Sequence, residues 1–82
     1  MKVIVYSQPN CYPCEGTKRR LTKKGIEFSE VDLTAPGAED LLAGFKQRGL
    51  ASTPIVVVTD DSGMEKQVWS GFNPTKIDAL VH

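Results

Sequence analysis

Two cysteines, Cys11 and Cys14, lie three positions apart where a short apolar run ends and a helix-like pattern begins. Thiols at this spacing can close into a small disulfide ring when the second lies in the first turn of a helix. The free N–H groups and the positive dipole end of a helix start favour an anion, so we expect Cys11 to be the thiolate and Cys14 the resolving thiol. Pro13 suits that turn because its φ is fixed.

Length and composition limit the possible classes of protein. The 82 residues suffice for one small core, so we expect residues 1–82 to form a single domain. Ten basic and ten acidic residues balance, which argues against general nucleic-acid or membrane-surface binding. The first apolar run is too short for a signal peptide, and no stretch reaches the length of a membrane span. We therefore expect a cytoplasmic protein, in which a Cys-x-x-Cys pair indicates redox chemistry.

The pattern along the chain alternates strands with helices. Strands are predicted at residues 2–6, 26–33, 55–59 and 64–69. Helices are predicted at 13–24, 38–47 and 74–81, the last with Asn73 as N-cap and Pro74 as its first residue. In the second strand, which alternates at period two apart from one slip, inward-facing positions are predicted for Ile26, Phe28, Val31 and Leu33. The order βαβαββα implies a right-handed crossover and a parallel strand pair.

This order, with Cys-x-x-Cys at the first helix and Thr53-Pro54 before the third strand, resembles the thioredoxin fold in its minimal glutaredoxin form. Thr17-Lys18 after the cysteines and the segment WSGFNP at residues 69–74 narrow the resemblance to NrdH-type redoxins. The resemblance spans essentially the whole chain. It implies an α/β fold with a four-stranded mixed sheet flanked by three helices.

The resemblance also implies a function. NrdH-type redoxins are dithiol electron carriers that accept electrons from thioredoxin reductase and pass them to ribonucleotide reductase, the enzyme of deoxyribonucleotide synthesis. We expect a monomer whose Cys11–Cys14 pair needs no separate cofactor or metal, and whose substrate is ribonucleotide reductase or another disulfide protein. Phe72 after Gly71 replaces the second glycine of the glutathione-binding signature Gly-Gly-x-x-Asp, which favours a protein reductant. Asn73 stands where the family usually has arginine.

Further site residues follow from the same resemblance. Pro54 is expected to be cis and opposite the disulfide, where Thr53 offers backbone groups to a partner peptide, although a proline can also simply begin a strand. Trp69 and Phe72 are either core residues or, with Tyr12, an apolar platform beside Cys11. The predicted substrate-binding set is Tyr12, Pro13, Lys18, Thr53, Pro54, Trp69, Ser70, Gly71 and Phe72.

A basic cluster occupies the first helix. Its members are Lys18, Arg19, Arg20, Lys23 and Lys24. The simpler interpretation is a solvated helix face whose charges suit the C-terminal end of the dipole. The functional interpretation is electrostatic docking of an acidic partner, in which Lys18 matters most because it is nearest the thiols.

Two other functions remain open at this point. A glutaredoxin reduced by glutathione is supported by Tyr12-Pro13, the reverse of the Pro-Tyr pair of dithiol glutaredoxins and different from the apolar-Gln pair usual in NrdH-type proteins. An iron–sulfur module shared between two copies through Cys11 is disfavoured by Pro13, because a rigid second thiol competes by forming the disulfide. Zinc would need ligands beyond the two cysteines, and the only other soft candidate is the terminal His82.

Overall fold

The computed structural model describes residues 1–80 and shows the predicted βαβαββα order. The strands are β1 (Lys2–Ser7), β2 (Ser29–Asp32), β3 (Ile55–Thr59) and β4 (Glu65–Ser70). The helices are α1 (Tyr12–Lys23), α2 (Glu39–Gln47) and α3 (Pro74–Asp78). Val81, predicted to end the last helix, and His82, weighed as a zinc ligand, lie outside the described residues.

The four strands form one mixed sheet in the order β2-β1-β3-β4. β1 runs parallel to β2, and β3 runs antiparallel to both β1 and β4. The central position of β3 explains the apolar run at residues 55–58, because a strand covered on both faces buries successive side chains, and only the last residue, Thr59, is half-buried. Between residues 1 and 80, no helix has both the length and the apolar character needed to cross a membrane.

The helices cover the two faces of the sheet with two separate hydrophobic clusters. On one face, α1 contributes Leu21 and α3 contributes Ile77 to a cluster with Val5, Val56 and Trp69. On the other face, Phe45 of α2 packs with the buried side chains of Leu33, Ile55 and Val57. The sheet is thus the middle layer, and the first turn of α1 begins directly above the end of β1.

The second strand is shorter than predicted. Only Ser29–Asp32 pairs with β1, whereas Ile26 and Phe28 precede the strand and pack against the cluster under α1 and α3. Leu33 belongs to the cluster under α2, on the opposite face of the sheet. The prediction that all of these side chains face one way was therefore wrong. The break in the period-two pattern between Phe28 and Val31 marks the point where the chain changes face.

Candidate functional site

Cys11 and Cys14 form a disulfide at the start of α1. Cys11 is the N-cap residue, and its sulfur accepts a hydrogen bond from the backbone N–H of Cys14 at 3.2 Å. Its exposed fraction is 8%, whereas Cys14 is completely buried. Of the two cysteines, only Cys11 therefore retains exposed surface, which favours an order in which Cys11 meets a partner first.

The loop before α1 delivers Cys11 to this position. β1 ends at Ser7, and Asn10 adopts a left-handed conformation with φ of 59°, which asparagine tolerates better than most residues. The carbonyl of Cys11 then accepts the first helical hydrogen bond, from the N–H of Glu15 at 3.1 Å. Thr17 closes the turn by donating its hydroxyl to the carbonyl of Pro13 at 2.8 Å. These hydrogen bonds fix the turn in which the backbone N–H of Cys14 donates to the sulfur of Cys11.

Thr53 and Pro54 lie beside the disulfide. Their peptide bond is cis, as expected from the resemblance, and Pro54 is buried. The hydroxyl oxygen of Thr53 is 3.4 Å from the sulfur of Cys11. The carbonyl of Pro54 accepts a hydrogen bond from the N–H of Gly71 at 2.8 Å, which ties this loop to the end of β4. The structure thus brings the cis-proline loop to the reactive sulfur.

The segment that follows this hydrogen bond divides between core and surface. Trp69 is 5% exposed and lies in the cluster under α1 and α3, so the structure places it in the core. Its indole N–H is buried without a hydrogen-bond partner among residues 1–80, and the ammonium of Lys76 lies 5.7 Å from the ring centroid. Ser70 pairs with Ile55 in the sheet. Trp69 is therefore a core residue.

Phe72 is the member of this segment that remains available at the surface. Gly71 turns the chain out of the sheet with φ of 82°, and Phe72 is 46% exposed. The ring lies against α1 at Gly16, where an added Cβ atom would be 3.8 Å from it. Tyr12, on the first turn of the same helix, is 91% exposed. Pro13 is also exposed, and we refer to Tyr12, Pro13 and Phe72 together as the apolar rim.

Lys18 lies between two carboxylates on the side of α1 that faces β2. Its ammonium is 2.8 Å from the Glu30 carboxylate and 2.9 Å from that of Glu15. These hydrogen bonds, with Glu30 contributing most, raise the pKa of Lys18 above its usual value. The pKa of Glu30 is lowered, mainly by Lys18 and then by the Ser7 hydroxyl, which donates to it at 2.8 Å. Lys18 is thus near the site but already paired.

Other members of the basic cluster hold the helices together. The guanidinium of Arg20 binds both carboxylate oxygens of Asp78 on α3, at 2.9 and 2.6 Å, and Lys24 lies 3.9 Å from the same carboxylate. Arg19 and Lys23 are exposed. Three of the five side chains (Lys18, Arg20 and Lys24) are therefore paired with carboxylates, and docking of an acidic partner on this cluster stays a prediction.

Three residues near the site were missed from the sequence: Asn10, Glu15 and Glu30. The spacing of Glu15 and Lys18 on one helix predicts their ion pair, and this signal was available. The contact of Lys18 with Glu30 depends on the parallel pairing of β1 with β2, which places Glu30 opposite Val5. That register is not readable from local sequence.

The comparisons of this sequence with known proteins agree on one family. Residues 3–62 match the family model for glutaredoxin. The chain is 35% identical over 81 residues to the glutaredoxin-like protein NrdH of Salmonella typhimurium, covering 98% of this chain and 89% of that protein. It is 41% identical over 80 residues to the gene 56 protein of Mycobacterium phage L5, covering 96% and 71%.

The fold agrees with the sequence comparisons. The structure of the NrdH-redoxin from Escherichia coli superimposes with a TM-score of 0.83 and 24% identity, covering 100% of this chain and 97% of that one. The thioredoxin fold predicted from the sequence is thereby confirmed. The chain belongs to the glutaredoxin family, among its NrdH-like members, and its Cys11–Cys14 pair makes it a thiol–disulfide oxidoreductase.

Proposed function

We propose that this protein is a dithiol electron carrier that reduces disulfides in other proteins. The observation that carries the proposal is the unequal exposure of the two cysteines, since Cys11 keeps some exposed surface and Cys14 has none. A pair built this way has a defined order of attack. Cys11 meets the partner, and Cys14 resolves the adduct.

The proposed cycle balances with the two cysteines alone. In the reduced protein, the Cys11 thiolate attacks one sulfur of the partner disulfide, forms a mixed disulfide and releases the other partner sulfur as a thiolate. The Cys14 thiol then loses its proton and attacks the sulfur of Cys11, which releases the second partner thiolate. Two electrons have passed to the partner, and Cys11 and Cys14 are left as the disulfide. The proposed cycle uses no bound cofactor or metal.

Partner binding is proposed to use the surface around Cys11. The backbone of Thr53 would pair with an extended segment of the partner as a short added strand, beside the cis peptide of Pro54. The apolar rim of Tyr12, Pro13 and Phe72 would contact apolar side chains that flank the partner disulfide. Ser70 and Gly71 would act through the hydrogen bond that joins Gly71 to the carbonyl of Pro54.

The proposed reductant is thioredoxin reductase, and the proposed substrate is ribonucleotide reductase, in the cytoplasm and with the carrier acting as a monomer. The NrdH-like relatives support this choice, as does the description of the Escherichia coli NrdH-redoxin as having a thioredoxin-like activity profile. The exposed ring of Phe72 also occupies the position where glutathione-dependent members have glycine. Glutathione is the competing reductant.

The test is NADPH oxidation with a disulfide protein as electron acceptor. One assay contains thioredoxin reductase, and the other contains glutathione with glutathione reductase. We expect turnover in the first assay and little in the second, and ribonucleotide reductase would then replace the general acceptor. Turnover only with glutathione would overturn the proposed reductant, and no turnover in either assay would overturn the carrier function.

A further inference from the structure

Two surface pockets meet beside the reactive sulfur. One, of about 320 Å³, contains Cys11 and Tyr12, and the next, of about 300 Å³, extends toward β2. Asn10 and Glu15 line both pockets, so the two are neighbours, and we refer to them together as the groove. A partner segment that presents its disulfide to Cys11 must place its neighbouring side chains along this groove or on the opposite, apolar side at Phe72.

The groove carries an excess of negative charge. Its carboxylates belong to Glu15, Glu30 and Asp32, and Lys18 is the one cation among the residues 1–80 that line it. The ammonium of Lys18 is shared between Glu15 and Glu30 at 2.9 and 2.8 Å. Three carboxylates with one ammonium leave two negative charges. Arg19 is exposed on α1 but lines neither pocket.

The carboxylates of this groove are held in their charged form. The pKa of Asp32 is lowered by hydrogen bonds from the hydroxyl and the N–H of Thr34. The pKa of Glu30 is lowered chiefly by Lys18, although the charge of Asp32 partly opposes this effect. Because the charge of Asp32 raises the pKa of Glu30, the two carboxylates are close enough to repel each other. An approaching cation would reduce their mutual repulsion.

We propose that this groove selects protein disulfides that have an arginine or lysine next to the attacked cysteine. The proposal deepens the reductase function given above and rests on it. An arginine can pair with the groove carboxylates and also stack on the exposed Tyr12 ring, so arginine is preferred over lysine. Lys18 pairs with Glu15 and Glu30, so the proposal assigns the groove a basic partner residue rather than the acidic one of the functional interpretation from sequence.

The test uses the pre-reduced protein and three synthetic disulfide peptides in single-turnover reactions. The peptides differ only in the residue beside the attacked cysteine, which is arginine, glutamine or glutamate. At about 0.01 M ionic strength, where charges act over about 30 Å, we expect the arginine peptide to react about fivefold faster than the glutamine peptide. The glutamate peptide should be the slowest. At about 1 M ionic strength, where the range is about 3 Å, the three rates should converge.

Variants in which one carboxylate is replaced by the corresponding amide show which groove residues cause the preference for arginine. Glu15→Gln and Asp32→Asn should each lower the arginine preference by about twofold, and both replacements are at exposed positions. Asp40→Asn, which removes an exposed carboxylate of α2 on the other face of the sheet, should leave the preference unchanged. Equal rates for the arginine and glutamate peptides at low salt would overturn the groove proposal. Failure to reduce any of the three peptides would instead overturn the reductase function.

Discussion

The hydroxyl of Thr53 lies 3.4 Å from the sulfur of Cys11, although 42 positions separate the two residues in the sequence. This contact joins the cis-proline loop to the start of α1. In the reduced protein, the Thr53 hydroxyl can donate to the Cys11 thiolate, beside the backbone N–H of Cys14. Thr53 then has two proposed roles, because its side chain contacts the nucleophile and its backbone is the group proposed above to pair with a partner segment.

Replacing Thr53 by valine keeps the shape of the side chain and removes the hydroxyl. We expect Thr53→Val to slow alkylation of Cys11 by iodoacetamide near pH 7 by roughly fivefold, equivalent to about 1 kcal/mol for a partly exposed, charge-assisted hydrogen bond. The rate–pH curve should move to higher pH. Thr59→Val, at the other end of β3, is the matched control and should leave the curve in place. An unchanged curve in Thr53→Val would show that the hydroxyl does not stabilise the thiolate.

The two cysteine variants should behave differently because Cys11 keeps some exposed surface and Cys14 is completely buried. Cys11→Ser should abolish reduction of a disulfide protein such as insulin. Cys14→Ser should retain the first attack and accumulate as a mixed disulfide, visible as a covalent adduct on a non-reducing gel. Full insulin reduction by Cys11→Ser would contradict the assigned order of attack, and so would adduct formation through Cys14 alone.

How much of this site the sequence could predict depends on how local each feature is. The helix start at Cys11 was predictable because Pro13, the cysteine spacing and the helix dipole all act within one turn. The place of Pro54 beside the disulfide came from the family resemblance, since nothing near residue 54 in the sequence indicates it. Trp69 was ambiguous because an aromatic residue near a strand end suits either core or rim, and only the packing of α3 decides.

The wrong prediction for the second strand and the missed Glu30 have a shared cause in the edge strand β2. Only four of its residues pair with β1, which is too few to fix one inward face along the whole segment. The periodic pattern from Ile26 onward therefore predicts one strand, although the side chains of this segment pack on both faces of the sheet. The same strand supplies Glu30, the partner that changes the role of Lys18. Pairing of β1 with β2 is a tertiary contact, and a side chain brought in by it leaves no signal in the sequence around Lys18.

Gly16 lies in the middle of α1 beside Phe72, and Gly44 lies in the middle of α2 with open space around it. Glycine inside a helix costs about 0.5–1 kcal/mol relative to alanine. We expect Gly16→Ala and Gly44→Ala each to raise the free energy of unfolding by about that amount in urea titrations. The new methyl at residue 16 would meet the Phe72 ring at 3.8 Å, an ordinary van der Waals distance. A loss of stability confined to Gly16→Ala would mean that Phe72 cannot accept the contact.

The ion pair between Arg20 and Asp78 should make the docking of α3 on α1 sensitive to acid. Arg20 lowers the pKa of Asp78 in the folded protein, so the unfolded chain binds more protons at moderately acidic pH. The contribution of Asp78 is therefore complete above its unfolded pKa of about 4 and is lost as the pH falls through the lower folded value. Wild type should be more stable than Asp78→Asn near pH 7, and the gap should close toward pH 2.

Urea titrations across this pH range, repeated in an Arg20→Gln background, isolate the pair from the other acidic groups. Without the guanidinium, the stability lost on Asp78→Asn substitution should shrink at neutral pH, and its dependence on pH should largely disappear. The remaining effect should come from Lys24, whose ammonium is 3.9 Å from the same carboxylate. A gap that stays constant from neutral to acidic pH would instead show that Asp78 stabilises α3 through packing or backbone effects rather than through its charge.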